Sequence, residues 1–209
     1  MKKIHLVLLI LLSATVYGQK KKTENTSSDF HLGFKGGGNY SSISGNDDLY
    51  TYKGRLGFHA GFVGKYNLDG KMALQGEVLY NNLGTHTEFT SNDVFTKGDL
   101  TLQYITLPVS FQYRIVPQLY AETGPEFNIN LTAKHKARDE YNWEGDWKEY
   151  TKGFYFGWTI GAGYELSNNL IFNLRYSMGL TSPFKNVGPL TTDHFRLGNL
   201  QGGFIYFFK

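Results

Sequence analysis

The chain has 209 residues, no Cys and a formal charge of +3. The lack of Cys excludes a disulfide framework, a thiolate nucleophile and a Cys-based metal site. Two of the cations sit in a removable N-terminal segment, so the basic balance gives no basis for nucleic-acid binding.

Residues 1–18 read as a secretory signal peptide. Lys2 and Lys3 form its positive start, Ile4–Leu12 its apolar core, and Val16-Tyr17-Gly18 leads into a cleavage site before Gln19. The apolar run is too short for a spanning helix, which needs ~20 residues. Residues 19–29, "QKKKTENTSSD", are polar and aperiodic, as a disordered leader would be. Residues 30–209 read as one β domain. Its 25 Gly, 15 Tyr and 16 Phe suit crowded sheet faces.

From Phe30 onward eight segments alternate with a period of two. Their apolar sets start at Phe30, Leu56, Met72, Ile105, Leu119, Phe154, Leu170 and Leu200. The connections alternate as well. Asn67–Gly70, Val116–Gln118 and Ser167–Asn169 are tight, whereas Ser41–Lys53, Gly84–Gly98, Ala133–Lys152 and Thr181–Arg196 are long and polar. Short turns at one end and long loops at the other are the pattern of a transmembrane barrel. The expected fold is therefore all-β, an eight-stranded antiparallel up-and-down transmembrane β-barrel.

The stretch "FYFGWTIGAGYEL" shows which face is which. Phe156, Trp158 and Ile160 share one side; Gly157, Thr159, Gly161 and Glu165 share the other. A water-facing strand gains nothing from glycine, which costs roughly 0.5–1 kcal/mol there. Inside a narrow barrel glycine makes room for long side chains. The apolar face is therefore placed against lipid, with aromatics near strand ends as an interfacial girdle. The expected lumen network contains Arg55, His59, Glu77, Glu122, Glu126 and Arg175, with Lys35, Gln112, Asn128 and Asn173 beside it. A three-residue turn at Leu68-Asp69-Gly70 sets Gly61 opposite Glu77, and a turn centred on Asn168 sets Gly161 opposite Arg175. Pro108 points inward and is expected opposite Gly124 or Glu126, beside a local gap in the ladder.

Five motifs carry a family resemblance: "FKGGGNYSSI", "LQYITLPVSFQYRI", "LYAETGPEFNI", "FGWTIGAGYEL" and "LRYSMGLT". In this order they resemble the PorT-like outer-membrane β-barrel family of Bacteroidota. The resemblance covers nearly all of residues 30–209. It implies an outer-membrane location, insertion by barrel assembly machinery and contact with outer-membrane lipid. It implies no single shared activity.

No set of residues reads as catalytic. Asp193-His194 reads as a solvated loop pair, and no Ser is tied by spacing to His31 or His59. The six His are scattered, so neither a metal nor a cofactor is expected. The glycines of "GFKGGGN" lack the helix and the GK[ST] ending of a phosphate loop. The third long loop, "KHKARDEYNWEGDWKEYTK", mixes both charges with Tyr141, Trp143, Trp147 and Tyr150. Such a loop either binds a glycan, lipid headgroups or an extracellular or envelope protein, or continues its strands as a hairpin with its aromatics packed together. The expected role is a non-enzymatic envelope or binding barrel. The alternatives are a barrel enzyme acting on lipid A or peptides, and a soluble lipocalin-like carrier.

Overall fold

A computed structural model describes residues 30–45, 50–91, 94–137, 144–186 and 194–208. The signal peptide, the leader, Tyr141, Trp143 and Asp193 lie outside the described residues. The strands are β1 (Phe30–Ser44), β2 (Tyr50–Asn67), β3 (Met72–Ser91), β4 (Val94–Val116), β5 (Leu119–Ala137), β6 (Glu144–Asp146), β7 (Phe154–Glu165), β8 (Leu170–Gly179) and β9 (Arg196–Phe207). Chain neighbours from β1 to β6 and from β7 to β9 pair antiparallel, β7 pairs with β5, and β1 pairs with both β2 and β9. The sheet therefore closes into a ring of eight, as the alternation predicts, and no edge remains along the ring. β6 stands outside the ring and adds to β5.

The faces fall as the alternation requires. Trp158 and Ile160 are 39% and 48% exposed on the outer wall, while Thr159 between them is fully buried. The outward apolar positions run over Phe30–Tyr40 in β1, Leu56–Tyr66 in β2, and on to Leu200–Phe208 at the end of the chain. Each run covers about 9–11 residues, the length that crosses a bilayer when tilted. A soluble protein would leave a belt of this kind in water, which the hydrophobic effect opposes.

Several strands continue past the belt. β3 and β4 stay paired from Gly84↔Thr101 out to Ser91↔Val94, and β5 runs on to Ala137. Much of what the sequence marks as the loops Ser41–Lys53 and Gly84–Gly98 is therefore strand. The polar residues there report water on the outside, not irregular backbone. Thr85, Thr87 and Thr96 are β-branched and suit a pleated ladder.

Two registers follow expectation and one does not. Gly161 lies opposite Arg175, and Pro108 lies opposite Glu126 next to an interrupted stretch of the β4–β5 ladder. At the β2–β3 turn, however, Asn67 pairs with Ala73, so Gly61 faces Leu79 and Glu77 faces Val63. Asp69 is the reason. Its Oδ1 accepts from the amides of Lys71 at 2.7 Å and Met72 at 2.6 Å, which winds two more residues into the loop. A slip of two keeps every side chain on its own face.

The interior has three layers. Val63, Tyr120, Ile171, Ile205 and Phe207 form an apolar plug at the short-turn end. A polar layer fills the middle. A larger apolar cluster at the long-loop end includes Leu83, Leu102, Tyr104, Tyr155, Phe195 and Leu197. The expected polar packing is thus confined to the middle of the lumen.

Candidate functional site

The polar layer is built around Arg175. This side chain is 1% exposed and comes from β8, where Gly161 of β7 leaves it space. Its Nη2 and Nη1 donate to Glu77 Oε1 at 2.6 Å and Oε2 at 3.1 Å. Its Nε donates to Glu122 Oε1 at 2.8 Å. Lys35 Nζ adds a contact of 3.3 Å to Glu77 Oε2. Gln75 donates to Glu77, while Gln112 and Asn173 donate to Glu122. Two cations and two carboxylates thus cancel, and amide donors complete the carboxylate shells. A buried pair is tolerable only with such completion.

Gly161 is needed for this geometry. A Cβ there would stand 3.0 Å from Glu122 Oε1 and 2.7 Å from Leu174 O. Gly163, two residues on, holds the ring of Tyr120, which a Cβ would meet at 2.2 Å. Replacing Gly163 by Ala is expected to destabilise the barrel by about 1–3 kcal/mol, as overpacking does. The urea midpoint of refolded protein in vesicles checks it.

A second chain of side chains crosses the barrel nearer the long loops. His59 Nδ1 meets Asn39 Oδ1 at 2.8 Å, and Asn39 Nδ2 donates to Asn81 Oδ1 at 3.0 Å. Asn81 donates to Thr106, Thr106 to Asn128, and Asn128 to Glu126. Ser177 Oγ also donates to Glu126, at 2.7 Å. Of the six residues expected in the network, five lie in these two chains. Arg55 does not. It is half-buried at the bulge between Gly54 and Phe58, and donates to Asn82 Oδ1 at 2.9 Å and Leu83 O at 3.2 Å.

Beyond the belt, β6 pairs Lys134↔Asp146, His135↔Gly145 and Lys136↔Glu144. The third long loop therefore begins and ends as a hairpin. Trp147 stacks on His135 with ring centroids 4.9 Å apart and meets Tyr150 edge-on at 5.7 Å. Trp147, Tyr52 and Phe184 pack on the apolar cluster below. The amide of Lys152 donates to Pro183 O, and that of Lys185 to Tyr150 O, which ties this loop to the next. Tyr150 keeps 41% exposure. The structure brings together Trp147 and Tyr150 of the four aromatics named from sequence.

With this geometry in place, likeness to known proteins becomes decisive. Residues 17–185 match the family described as "Outer membrane protein beta-barrel domain". The chain belongs to that family. No curated protein matches the sequence. Among solved structures, Neisserial surface protein A is 14% identical, with 88% of this chain and 100% of that one covered, and a TM-score of 0.52. Ail, the attachment invasion locus protein of Yersinia pestis, is 15% identical, with 85% and 98% covered and a TM-score of 0.48. OprG of Pseudomonas aeruginosa is 12% identical, with 85% and 95% covered and a TM-score of 0.45. At such identities the likeness to Neisserial surface protein A concerns the fold.

An outer-membrane barrel presents its long loops outside the cell and its short turns to the periplasm. The extended strands and the Trp147 cap are then extracellular. That wall also holds features the sequence did not reveal. His86 Nδ1 pairs with Asp99 Oδ1, and Lys53 lies 2.7 Å from Glu88. These residues are 13 and 35 apart in sequence, and only strand register brings each pair together. Among the described residues no hydroxyl donates to the His86 ring. His194 is exposed and its ring lies 4.3 Å from that of Phe195. His59 is buried and bound to Asn39.

Burial pushes the His135 imidazole below its ordinary value of 6.5, against a smaller opposing pull from Asp99. A lowered folded value favours the neutral ring. Its contribution is complete above pH 6.5 and is lost as the pH falls through the folded value. Acidification from above pH 6.5 through the lowered folded value is therefore expected to loosen the Trp147 stack. Emission from a chain retaining Trp147 as its only Trp checks this. A red shift is expected in the parent and none in His135→Phe.

Proposed function

We propose that the protein is a non-enzymatic outer-membrane barrel that binds an envelope protein or glycan through its extracellular extension. The observation that carries this reading is the sealed lumen. Among the described residues, an apolar plug at each end and a charge-cancelled middle fill the lumen and leave no through-going channel. The order built above the membrane is then the part available for contact. β3–β4 and β5–β6 form a stiff platform, and Tyr150, with Trp147 beneath it, supplies aromatic surface at its rim. Tyr141 and Trp143 belong to the same loop and join the proposed contact set.

The PorT-like motifs support placement within that branch of Bacteroidota barrels. They also support delivery by a signal peptide cleaved near Gly18 and insertion by barrel assembly machinery. N-terminal sequencing of the membrane-bound protein is expected to begin at Gln19.

The binding reading is tested on intact cells displaying the full chain over a glycan array and envelope-protein blots. Retention that drops on combined Tyr141→Ser, Trp143→Ser and Tyr150→Ser supports it. Retention unchanged in that variant, or steady ion conductance through the wild-type barrel in planar bilayers, overturns it.

A further inference from the structure

The periplasmic mouth is not symmetric with the extracellular one. It holds two adjoining cavities, of about 490 Å³ and 850 Å³, which share Lys65, Asn67 and Arg114 in their walls. Arg114 is already satisfied. Its Nη1 and Nη2 grip Glu165 at 2.9 Å and 2.7 Å, and Nη1 also donates to Pro117 O. Asp69, the other carboxylate of this rim, holds the amides of its own turn through Oδ1.

Lys65 is left over. It is only 7% exposed, yet the nearest carboxylate oxygen, Glu165 Oε1, is 4.0 Å away. Its other neighbour is the face of Tyr120, 5.3 Å from Nζ to the ring centroid. Among the described residues no oxygen accepts a hydrogen bond from this ammonium. Lys65 lines both cavities, so an acceptor that enters them can reach its ammonium. Glu165 is not such an acceptor, because at 4.0 Å its Oε1 lies beyond hydrogen-bond distance.

The larger cavity also has an apolar side. Phe30, Leu32 and Phe208 line it, and all three belong to the outward belt that meets lipid. The cavity therefore runs from the edge of the lipid-facing wall to the recessed ammonium of Lys65. That shape suits an amphiphile whose chains lie against the wall and whose anionic head turns into the mouth.

We propose that this vestibule binds the phosphate of an inner-leaflet phospholipid, with Lys65 donating to its anionic oxygens. Lys65, Lys71 and Arg114 face Glu165 and Asp69 in these walls, which leaves one surplus positive charge, and a phosphodiester carries one negative charge. Its oxygens are acceptors only, which matches three N–H donors. The site is separate from the extracellular platform, so failure of either reading leaves the other standing.

The test is native mass spectrometry of the full folded barrel released from mild detergent and titrated with phosphatidylglycerol. Wild type is expected to retain one lipid. Lys65→Gln is expected to retain it about tenfold more weakly, the scale of one charge-assisted hydrogen bond, and Lys65→Arg to recover most of it. Lys185→Gln, on the extracellular side, serves as the matched control. A heat-dependent gel shift verifies that each variant is folded. Inorganic phosphate is added in a second arm. Lipid retention that survives excess phosphate supports the proposal, whereas displacement by phosphate would assign the site to the free anion and overturn the lipid assignment. Equal lipid retention by folded Lys65→Gln would overturn the site altogether.

Discussion

Replacing Arg175 by Met is expected to be the most damaging single change in the barrel, costing about 3–5 kcal/mol. Arg175 joins two carboxylates that have no water to fall back on, since Glu77 and Glu122 are 5% and 3% exposed. Methionine fills much of the volume, so a cavity is not the main cost. The cost is two carboxylates left with one cation, Lys35, which touches only Glu77. The network also spans the ring, because Glu77 is on β3, Glu122 on β5 and Arg175 on β8. Its loss removes a tie between strands that do not pair. Urea titration of the barrel in vesicles measures the effect. Adding only Glu122→Gln to Arg175→Met is expected to restore most of the loss, because Lys35 and Glu77 then remain as a neutral pair. A loss under about 1 kcal/mol for Arg175→Met would show that the network contributes little.

The second large effect is on the outer wall. Ile160→Arg is expected to cost about 2–4 kcal/mol, whereas Leu166→Arg is expected to cost about 0–1 kcal/mol. Both residues are outward and similarly exposed, at 48% and 52%. They differ in depth. Ile160 is central in β7, while Leu166 follows its last residue at the periplasmic turn. A lipid slab penalises charge by depth, and a long side chain near its edge reaches water. Comparing the two variants by urea titration measures that gradient. Equal costs would place both residues in the same medium.

The wall was legible because strand periodicity is exact. Once Phe156, Trp158 and Ile160 share a side, Thr159 and Gly161 must share the other. The inward position of Arg175 and its pairing with Gly161 followed from one short turn. The β2–β3 register did not follow, because Asp69 adds residues to its turn through side-chain bonds that spacing does not show. The layered lumen was half legible. Tyr104, Tyr155, Leu83 and Leu197 sit on the face that is polar elsewhere, and that departure near strand ends was the available signal for an apolar cap. Lys65, Arg114 and Glu165 come from three strands, and of these only Glu165 was placed on the inward face by spacing. Only closure of the ring sets them at one mouth. The extracellular strands were read as loops because polarity was taken for irregularity.

The central claim is that the apolar face meets lipid and the polar face is enclosed. The most direct test uses a chain in which Trp158 is the only Trp, refolded into vesicles with brominated acyl chains. Trp158 is on the outer wall, its Nε1 bonded to Thr123 Oγ1 at 2.9 Å. Strong quenching by bromine on the acyl chains, with little quenching by aqueous iodide, is the predicted result. Emission untouched by brominated lipid would put Trp158 inside a cavity and turn the barrel inside out.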